Sequence, residues 1–104
     1  MHAITTSEIA RVTDDYARAA RQLVDAGFDS LEIHVGHNYL LSAFLSPKLN
    51  RRDDRYGGSL DNRARFPRDV VRAVRDAVRH VSFPFAIVSG DSTTRLLRRR
   101  SSDR

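Results

Sequence analysis

The sequence predicts an α/β fold built on parallel strands. Two stretches with helical apolar spacing each precede a short apolar run of strand type, and a long turn-rich segment separates the two halves. Strands joined through a helix in this order run parallel. A chain of 104 residues, 40% of them hydrophobic, has room for one domain with a modest core.

The first helix is predicted over residues 6–26. Thr5 and Glu8 have the spacing of a capping box, and Gly27 supplies a C-terminal stop. A strand follows over residues 30–35, where apolar residues alternate with Glu32 and His34. The strand therefore has one apolar face and one polar face.

The turn-rich segment covers residues 36–60, and a loop of this length in a compact domain is usually functional. A second helix is predicted from a cap at Asp61 or Asn62 to Arg79, with Pro67 tolerated in its first turn. Residues 83–88 are expected to form a second buried strand.

Residues 91–104 differ in composition from the rest of the chain. They carry five arginines and two aspartates, so a segment of 14 residues holds +3 of the formal net charge of +5. We expect a domain over residues 1–90 and a basic, disordered tail over residues 91–104. The chain has no apolar run long enough to span a bilayer and no signal-peptide pattern at its start, which predicts a cytoplasmic protein. It has no cysteine, which excludes disulfides and thiolate metal sites.

Two imidazoles and a phenol lie at the C-terminal end of the first predicted strand, at His34, His37 and Tyr39. Glu32, His34 and His37 are candidate metal ligands, but His37 lies beyond a glycine and no known spacing supplies a third ligand. The histidines could also be ordinary polar residues at a strand end.

Two long blocks decide between these interpretations. The first is Ala26-Gly27-Phe28-Asp29-Ser30-Leu31-Glu32-Ile33-His34-Val35-Gly36-His37-Asn38-Tyr39-Leu40-Leu41, followed by Phe44-Leu45-Ser46-Pro47. The second runs from Asn50-Arg51-Arg52-Asp53-Asp54-Arg55-Tyr56-Gly57-Gly58 to Asn62-Arg63-Ala64-Arg65-Phe66. Together they resemble the old yellow enzyme family of FMN-dependent NADH:flavin oxidoreductases.

The resemblance implies part of a (β/α)₈ TIM barrel: its third helix, fourth strand, long loop, fourth helix and fifth strand. In the family, a nicotinamide reduces FMN, and the flavin passes a hydride to the β-carbon of an activated alkene such as an enone. By position, His34 and His37 resemble the pair that binds the substrate carbonyl oxygen, and Tyr39 resembles the catalytic proton donor. A phenol is protonated at neutral pH and can act as an acid.

The resemblance also implies what the chain lacks. Ile87 stands where the family has a flavin-contacting arginine, and a whole barrel needs roughly 200 residues or more. We therefore expect no cofactor-binding residue here, no FMN or NAD(P)H bound by this chain alone, and no activity without the rest of a barrel. A complementing barrel fragment or self-association could supply the missing part. The charged residues of the second block are expected to hold the loop rather than to catalyse.

A second function class remains open. The chain could be a non-enzymatic basic polypeptide whose Arg95–Arg104 tail binds nucleic acid or another acidic surface. We do not favour a nucleic-acid partner, because the chain lacks interleaved aromatic residues and any known nucleic-acid motif.

Overall fold

Two long helices and a three-stranded sheet form the fold in the computed structural model, which describes residues 3–81, 83–89 and 92–97. The elements in chain order are α1 (Thr6–Asp25), β1 (Leu31–Val35), α2 (Leu40–Leu45), α3 (Leu60–Val78), a 3₁₀ turn (Arg79–Val81), β2 (Phe85–Ser89) and β3 (Ser92–Leu97). None of the described helices is long and apolar enough to cross a bilayer.

The start and end of α1 confirm the sequence prediction. The Thr5 Oγ1 atom accepts a hydrogen bond from the Glu8 N–H at 3.2 Å, and the Thr5 N–H donates to Glu8 Oε1 at 3.3 Å. This reciprocal pair satisfies two backbone donors that would otherwise be left at the first turn. After the helix, Gly27 adopts φ +89°, a left-handed conformation that favours glycine.

The strands β1 and β2 are parallel, as predicted. Leu31 pairs with Phe85 and Val35 with Ser89, so the carboxyl ends of both strands lie at the same edge of the sheet. The helices α1 and α3 pack against each other, and buried side chains from both join those of the sheet in one core. The largest fully buried members of this core are Phe66, Ile9, Ile33, Leu41, Val70, Val74 and Val78.

Two local features differ from the sequence prediction. The segment expected to be irregular contains α2, whose Leu41 and Phe44 are buried. The ring centroids of Phe44 and Phe66 lie 4.8 Å apart. Tertiary burial therefore stabilises a helix too short to show a periodic pattern. The cap of α3 is Ser59, whose side chain accepts from the Asn62 N–H at 3.2 Å, and neither Asp61 nor Asn62 is the cap residue.

The predicted disordered tail is wrong over part of its length. Residues 92–97 form β3, which pairs antiparallel with β2, so that β2 is the central strand of the order β1-β2-β3. An unpaired edge on β2 would leave its backbone donors and acceptors without partners, and Thr93 and Thr94 are β-branched residues that suit a strand. Residues 91 and 98–104 of the predicted tail lie outside the described part of the chain.

Candidate functional site

The structure brings the three site residues proposed from the sequence into one cluster. The ring centroids of His34 and His37 lie 5.2 Å apart, and the Tyr39 ring lies 5.3 Å from His34 and 6.3 Å from His37. His34 belongs to β1, while His37 and Tyr39 belong to the turn between β1 and α2. The cluster therefore sits at the carboxyl end of a parallel strand, where βα barrels place their reactive groups.

The turn folds back on the strand through an unusual backbone. His37 and Asn38 both have φ +56°, a left-handed conformation rare outside glycine and tolerated best by asparagine, aspartate and histidine. The Tyr39 N–H donates to the Gly36 carbonyl at 3.2 Å and closes the turn. Two consecutive left-handed residues reverse the chain sharply, and this reversal returns Tyr39 to the level of His34.

Ser42 supports the turn from the first part of α2, and the sequence reasoning missed it. Its Oγ atom lies 2.9 Å from the Gly36 carbonyl oxygen and 3.2 Å from the Tyr39 carbonyl oxygen, and donates toward both. A serine seven residues after the end of a strand carries no distinctive sequence signal, so only the three-dimensional structure reveals this contact.

His34 carries a ring nitrogen that the described residues leave unsatisfied. Its Nε2 atom is buried and has no hydrogen-bond partner among the described residues. A buried polar nitrogen without a partner costs free energy, and such atoms often face a ligand. Tyr39 is 66% exposed, so its hydroxyl can reach a molecule that approaches the cluster from outside. The arrangement can bind an oxygen at an imidazole and hold a phenol proton close to it.

The metal interpretation gains no support from the geometry. Within residues 3–81 and 83–89, no group of three or more histidines and carboxylates has positions suited to a metal ion. Glu32 is exposed on β1. The His34 Nε2 atom, without a partner among the described residues, fits an organic ligand better than a metal, which requires several converging ligands.

The second sequence block forms a hydrogen-bonded loop between α2 and α3. The Arg52 guanidinium contacts Asp54 through Nη2 to Oδ2 at 2.6 Å and Nε to Oδ1 at 3.1 Å, and its Nη1 donates to the Ile4 carbonyl at 2.5 Å. The Asn50 amide nitrogen donates to the Phe44 and Tyr56 carbonyls at 2.7 and 2.8 Å. These contacts join the two ends of the loop and the start of the chain.

Two arginines at the start of α3 complete this loop. Arg63 donates to the Leu45 carbonyl at 3.0 Å and to the Gly58 carbonyl at 2.6 Å. Arg65 donates to the Arg55 carbonyl at 2.9 Å. The contacts of Arg52, Asp54, Arg63 and Arg65 agree with the architectural role expected for the block. Arg51 and Asp53 are exposed.

The electrostatics of the loop centre on the pair Arg52 and Asp54. The hydrogen bonds from Arg52 hold the pKa of the Asp54 carboxyl below its usual range, and the Tyr56 N–H bond at 3.1 Å acts in the same direction. The same pair raises the pKa of Arg52. The ion pair is therefore present throughout the neutral range.

The register of the sheet changes the role expected at residue 87. Ile87 pairs with Ile33, whose side chain is buried in the core, whereas Val88 pairs with His34. Paired residues of neighbouring strands point to the same face of a sheet. Position 88, and not 87, is therefore in phase with His34, and an arginine at 87 would lie on the helix-covered face.

Known proteins resemble this chain in both sequence and structure. The chain matches the family described as NADH:flavin oxidoreductase / NADH oxidase over residues 1–91. It is 59% identical over 73 residues to the 4,4'-dithiodibutanoate disulfide reductase of Rhodococcus erythropolis, a match that covers 70% of this chain and 18% of the relative. It is 53% identical over 77 residues to enoate reductase 1 of Kluyveromyces lactis, covering 74% of this chain and 19% of the relative. The chain thus spans about a fifth of the length of these relatives.

Solved structures give the same result. An old yellow enzyme from Pichia sp. AKU4542 superposes with a TM-score of 0.78 at 38% identity, over 85% of this chain and 22% of that one. The N189A mutant of morphinone reductase, in complex with tetrahydroNAD, superposes with a TM-score of 0.77 at 41% identity, over 85% and 24%. The described helices and the parallel strands thus match one segment of a larger fold.

Proposed function

The chain belongs to the NADH:flavin oxidoreductase / NADH oxidase family, and from this premise we propose that it is the substrate-binding segment of an FMN-dependent ene-reductase. In this proposal its two parallel strands are the fourth and fifth of a (β/α)₈ barrel. The complete enzyme uses NADH or NADPH to reduce an activated alkene. The observation that carries the proposal is the His34, His37 and Tyr39 ring cluster at the end of β1.

The first role of the cluster is to bind oxygen. An imidazole N–H directed at the carbonyl oxygen of an enone stabilises the negative charge that grows there as the β-carbon is reduced, and such donors typically contribute about 3 kcal/mol each. The buried Nε2 of His34 suits this role, because a substrate oxygen would supply the partner that the described residues do not. His37 supplies the second imidazole of the pair.

The second role is proton donation. Reduction of an alkene adds a hydride to the β-carbon and a proton to the α-carbon, so the product is saturated and the donor must be reprotonated from solvent. The exposed Tyr39 phenol can deliver this proton to the α-carbon while the carbonyl oxygen rests on the imidazoles. Solvent access then allows the phenolate to recover a proton.

Among the described residues, the ring cluster fits the substrate side of a flavin site. The partnerless Nε2 and the ring cluster suit a ligand oxygen. Arg52 in the loop is engaged by Asp54, and Arg63 and Arg65 on α3 are engaged by backbone carbonyls. Reduced FMN, when bound by a complete protein, supplies the hydride. We propose that the groups that hold it come from other segments.

A hybrid enzyme tests this function. Residues 27–59 of this chain, which carry the ring cluster and the loop, replace the matching segment of the Rhodococcus relative. We expect the hybrid to bind FMN and to reduce 2-cyclohexenone with NADH or NADPH at a rate comparable with that of the parent. Because that relative is a 4,4'-dithiodibutanoate disulfide reductase, 4,4'-dithiodibutanoate is the second acceptor to measure. A hybrid that binds FMN and oxidises NAD(P)H with neither acceptor would contradict the proposal.

A further inference from the structure

The position of the Tyr39 phenol depends on the backbone of Tyr39. The residue is 66% exposed, so packing in the core does not fix its ring. Tyr39 is the N-cap of α2 and has extended backbone, and its side chain makes no capping hydrogen bond to the described residues of that helix. The groups that hold the Tyr39 N–H and carbonyl therefore determine where its hydroxyl lies.

The Ser42 hydroxyl contacts both of the carbonyl groups that hold this backbone. The Tyr39 N–H donates to the Gly36 carbonyl at 3.2 Å, and Ser42 Oγ lies 2.9 Å from the same carbonyl oxygen. Ser42 Oγ also lies 3.2 Å from the Tyr39 carbonyl oxygen, which accepts from the Ala43 N–H at 2.8 Å. One hydroxyl thus joins the carbonyl groups at the two ends of the turn.

The turn between these two carbonyls needs such support. His37 and Asn38 both have φ +56°, and a residue other than glycine stays in this left-handed region only where its surroundings hold it there. Gly36 is buried, and a buried carbonyl requires hydrogen-bond donors from the protein. The Tyr39 N–H and the Ser42 hydroxyl both donate to it, so removal of the hydroxyl weakens the closure of a strained reversal.

We propose that Ser42 is a positioning residue for proton transfer and acts through the backbone of Tyr39. Its hydroxyl holds the turn closed, and the closed turn places the Tyr39 ring 5.3 Å from the His34 ring. His34 lies on β1, whose pairing with β2 fixes its backbone independently of the turn. The distance between the two rings therefore depends on Ser42. This inference rests on the proposed function, because it takes Tyr39 as the proton donor.

The proposed role separates substrate binding from protonation. Binding of the substrate carbonyl oxygen uses His34, which the strand holds in place. Protonation of the α-carbon requires the Tyr39 phenol at a defined distance, and a small displacement of an acid lowers the rate of proton transfer. Ser42 itself exchanges no proton with the substrate. A loosened turn should therefore slow protonation more than it weakens binding.

Amide hydrogen exchange in the 104-residue chain measures the support of the turn without any cofactor. Ser42→Ala should speed exchange of the Tyr39 N–H by about tenfold or more, whereas Ser42→Thr keeps a hydroxyl and should retain most of the protection. Ser46→Ala is the matched control, because the Ser46 hydroxyl accepts from the Lys48 and Leu49 N–H groups beyond the other end of α2. Equal exchange of the Tyr39 N–H in the unchanged chain and in Ser42→Ala would overturn the proposal.

The hybrid enzyme carries Ser42 within residues 27–59 and provides the kinetic test. In the Ser42→Ala hybrid, reoxidation of the flavin by 2-cyclohexenone should slow by about tenfold. The solvent deuterium isotope effect on this step should rise, because protonation becomes slower. Flavin reduction by NADH or NADPH should not change. Ser42→Thr should restore reoxidation, and Ser46→Ala should leave both half-reactions unchanged.

A double substitution tests whether Ser42 acts through Tyr39. In the Tyr39→Phe hybrid no phenol proton remains to be positioned, so the addition of Ser42→Ala should slow reoxidation by less than about twofold further. A further slowing of about tenfold would mean that Ser42 acts on another group, and the proposal would be wrong. If Ser42→Ala loses its circular dichroism, Ser42→Cys replaces it, since a thiol of similar size is a much weaker donor.

This proposal and the proposed function can fail separately. Unchanged reoxidation in the Tyr39→Phe hybrid would contradict the proposed function. Slow reoxidation in that hybrid, combined with unchanged reoxidation and an unchanged isotope effect in Ser42→Ala, would retain the proposed function and overturn the role of Ser42.

Discussion

Arg52 holds Asp54 through two guanidinium nitrogens, Nη2 to Oδ2 at 2.6 Å and Nε to Oδ1 at 3.1 Å, while its third nitrogen binds the Ile4 carbonyl. This pair connects the start of the chain, the loop and, through the Arg52 guanidinium 5.6 Å from the Phe44 ring centroid, the core. This ion pair therefore helps to hold the loop, together with the hydrogen bonds of Asn50, Arg63 and Arg65.

The first prediction concerns the pH dependence of this pair. The folded-state pKa of Asp54 is lowered by the bonds from Arg52, so its contribution to stability is present at neutral pH and is lost as the pH falls below about 4. Asp54→Asn should lower the free energy of unfolding at pH 7 by about 1 kcal/mol and flatten its fall in acid. Urea unfolding from pH 7 to pH 3 measures both effects. Asp53→Asn, at the exposed neighbour, is the matched control, and identical acid slopes in the Asp54 variant and the parent would contradict the assignment.

The second prediction separates two glycines. A Cβ atom at Gly57 would lie 2.2 Å from the Arg52 carbonyl oxygen, whereas one at Gly58 meets nothing within 4 Å, although Gly58 has φ +93°. Gly58→Ala should therefore cost only backbone strain, about 1 kcal/mol, and Gly57→Ala should cost about 2 kcal/mol more because the loop backbone must move. Thermal unfolding of the two variants compares them directly. Equal losses of stability in the two variants would show that the backbone near Arg52 moves to accept the added Cβ atom at no cost.

The third prediction concerns the turn under the ring cluster. Asn38 has φ +56°, which glycine adopts without cost, so Asn38→Gly should leave stability unchanged or raise it by less than about 1 kcal/mol. Asn38→Val should lower it by about 2 kcal/mol, since a β-branched residue is poorly suited to this conformation. Chemical unfolding of both variants is the measurement. A tolerated valine would mean that the turn does not need the left-handed backbone.

The fourth prediction concerns the cofactor. We expect the 104-residue chain to purify colourless and to show no saturable FMN binding at micromolar concentration, a threshold of about −8 kcal/mol. The physical reason is that the proposed roles of His34, His37 and Tyr39 are all on the substrate side of the flavin. Fluorescence titration of FMN tests this. Riboflavin, which lacks the phosphate, is the control for binding that does not involve the phosphate group. A yellow preparation with one FMN per chain would contradict the prediction and would indicate assembly of several copies.

Residues with strong local chemistry could be read from the sequence. The Thr5 and Glu8 capping box, the stop at Gly27 and the parallel strands are confirmed, because capping and alternation depend on neighbours in sequence. The grouping of His34, His37 and Tyr39 was also predicted. The sequence predictions that were wrong concern elements stabilised by residues distant in the sequence. Burial against Phe66 stabilises α2, and pairing with the edge of β2 stabilises β3. The hydrogen bond from Ser42 to the turn likewise depends on three-dimensional packing. The face of the sheet on which Ile87 lies depends on the strand register.

The most direct test of the account is the Tyr39→Phe substitution in the hybrid enzyme, followed by stopped-flow absorbance of the flavin. Two half-reactions are measured separately: reduction of the flavin by NADH or NADPH, and its reoxidation by 2-cyclohexenone. If Tyr39 is the proton donor, reoxidation by the enone should slow by about a hundredfold or more, the range for loss of a general acid, while flavin reduction is unchanged. Equal slowing of both half-reactions, or no slowing of either, would contradict the assignment of the ring cluster as the substrate site.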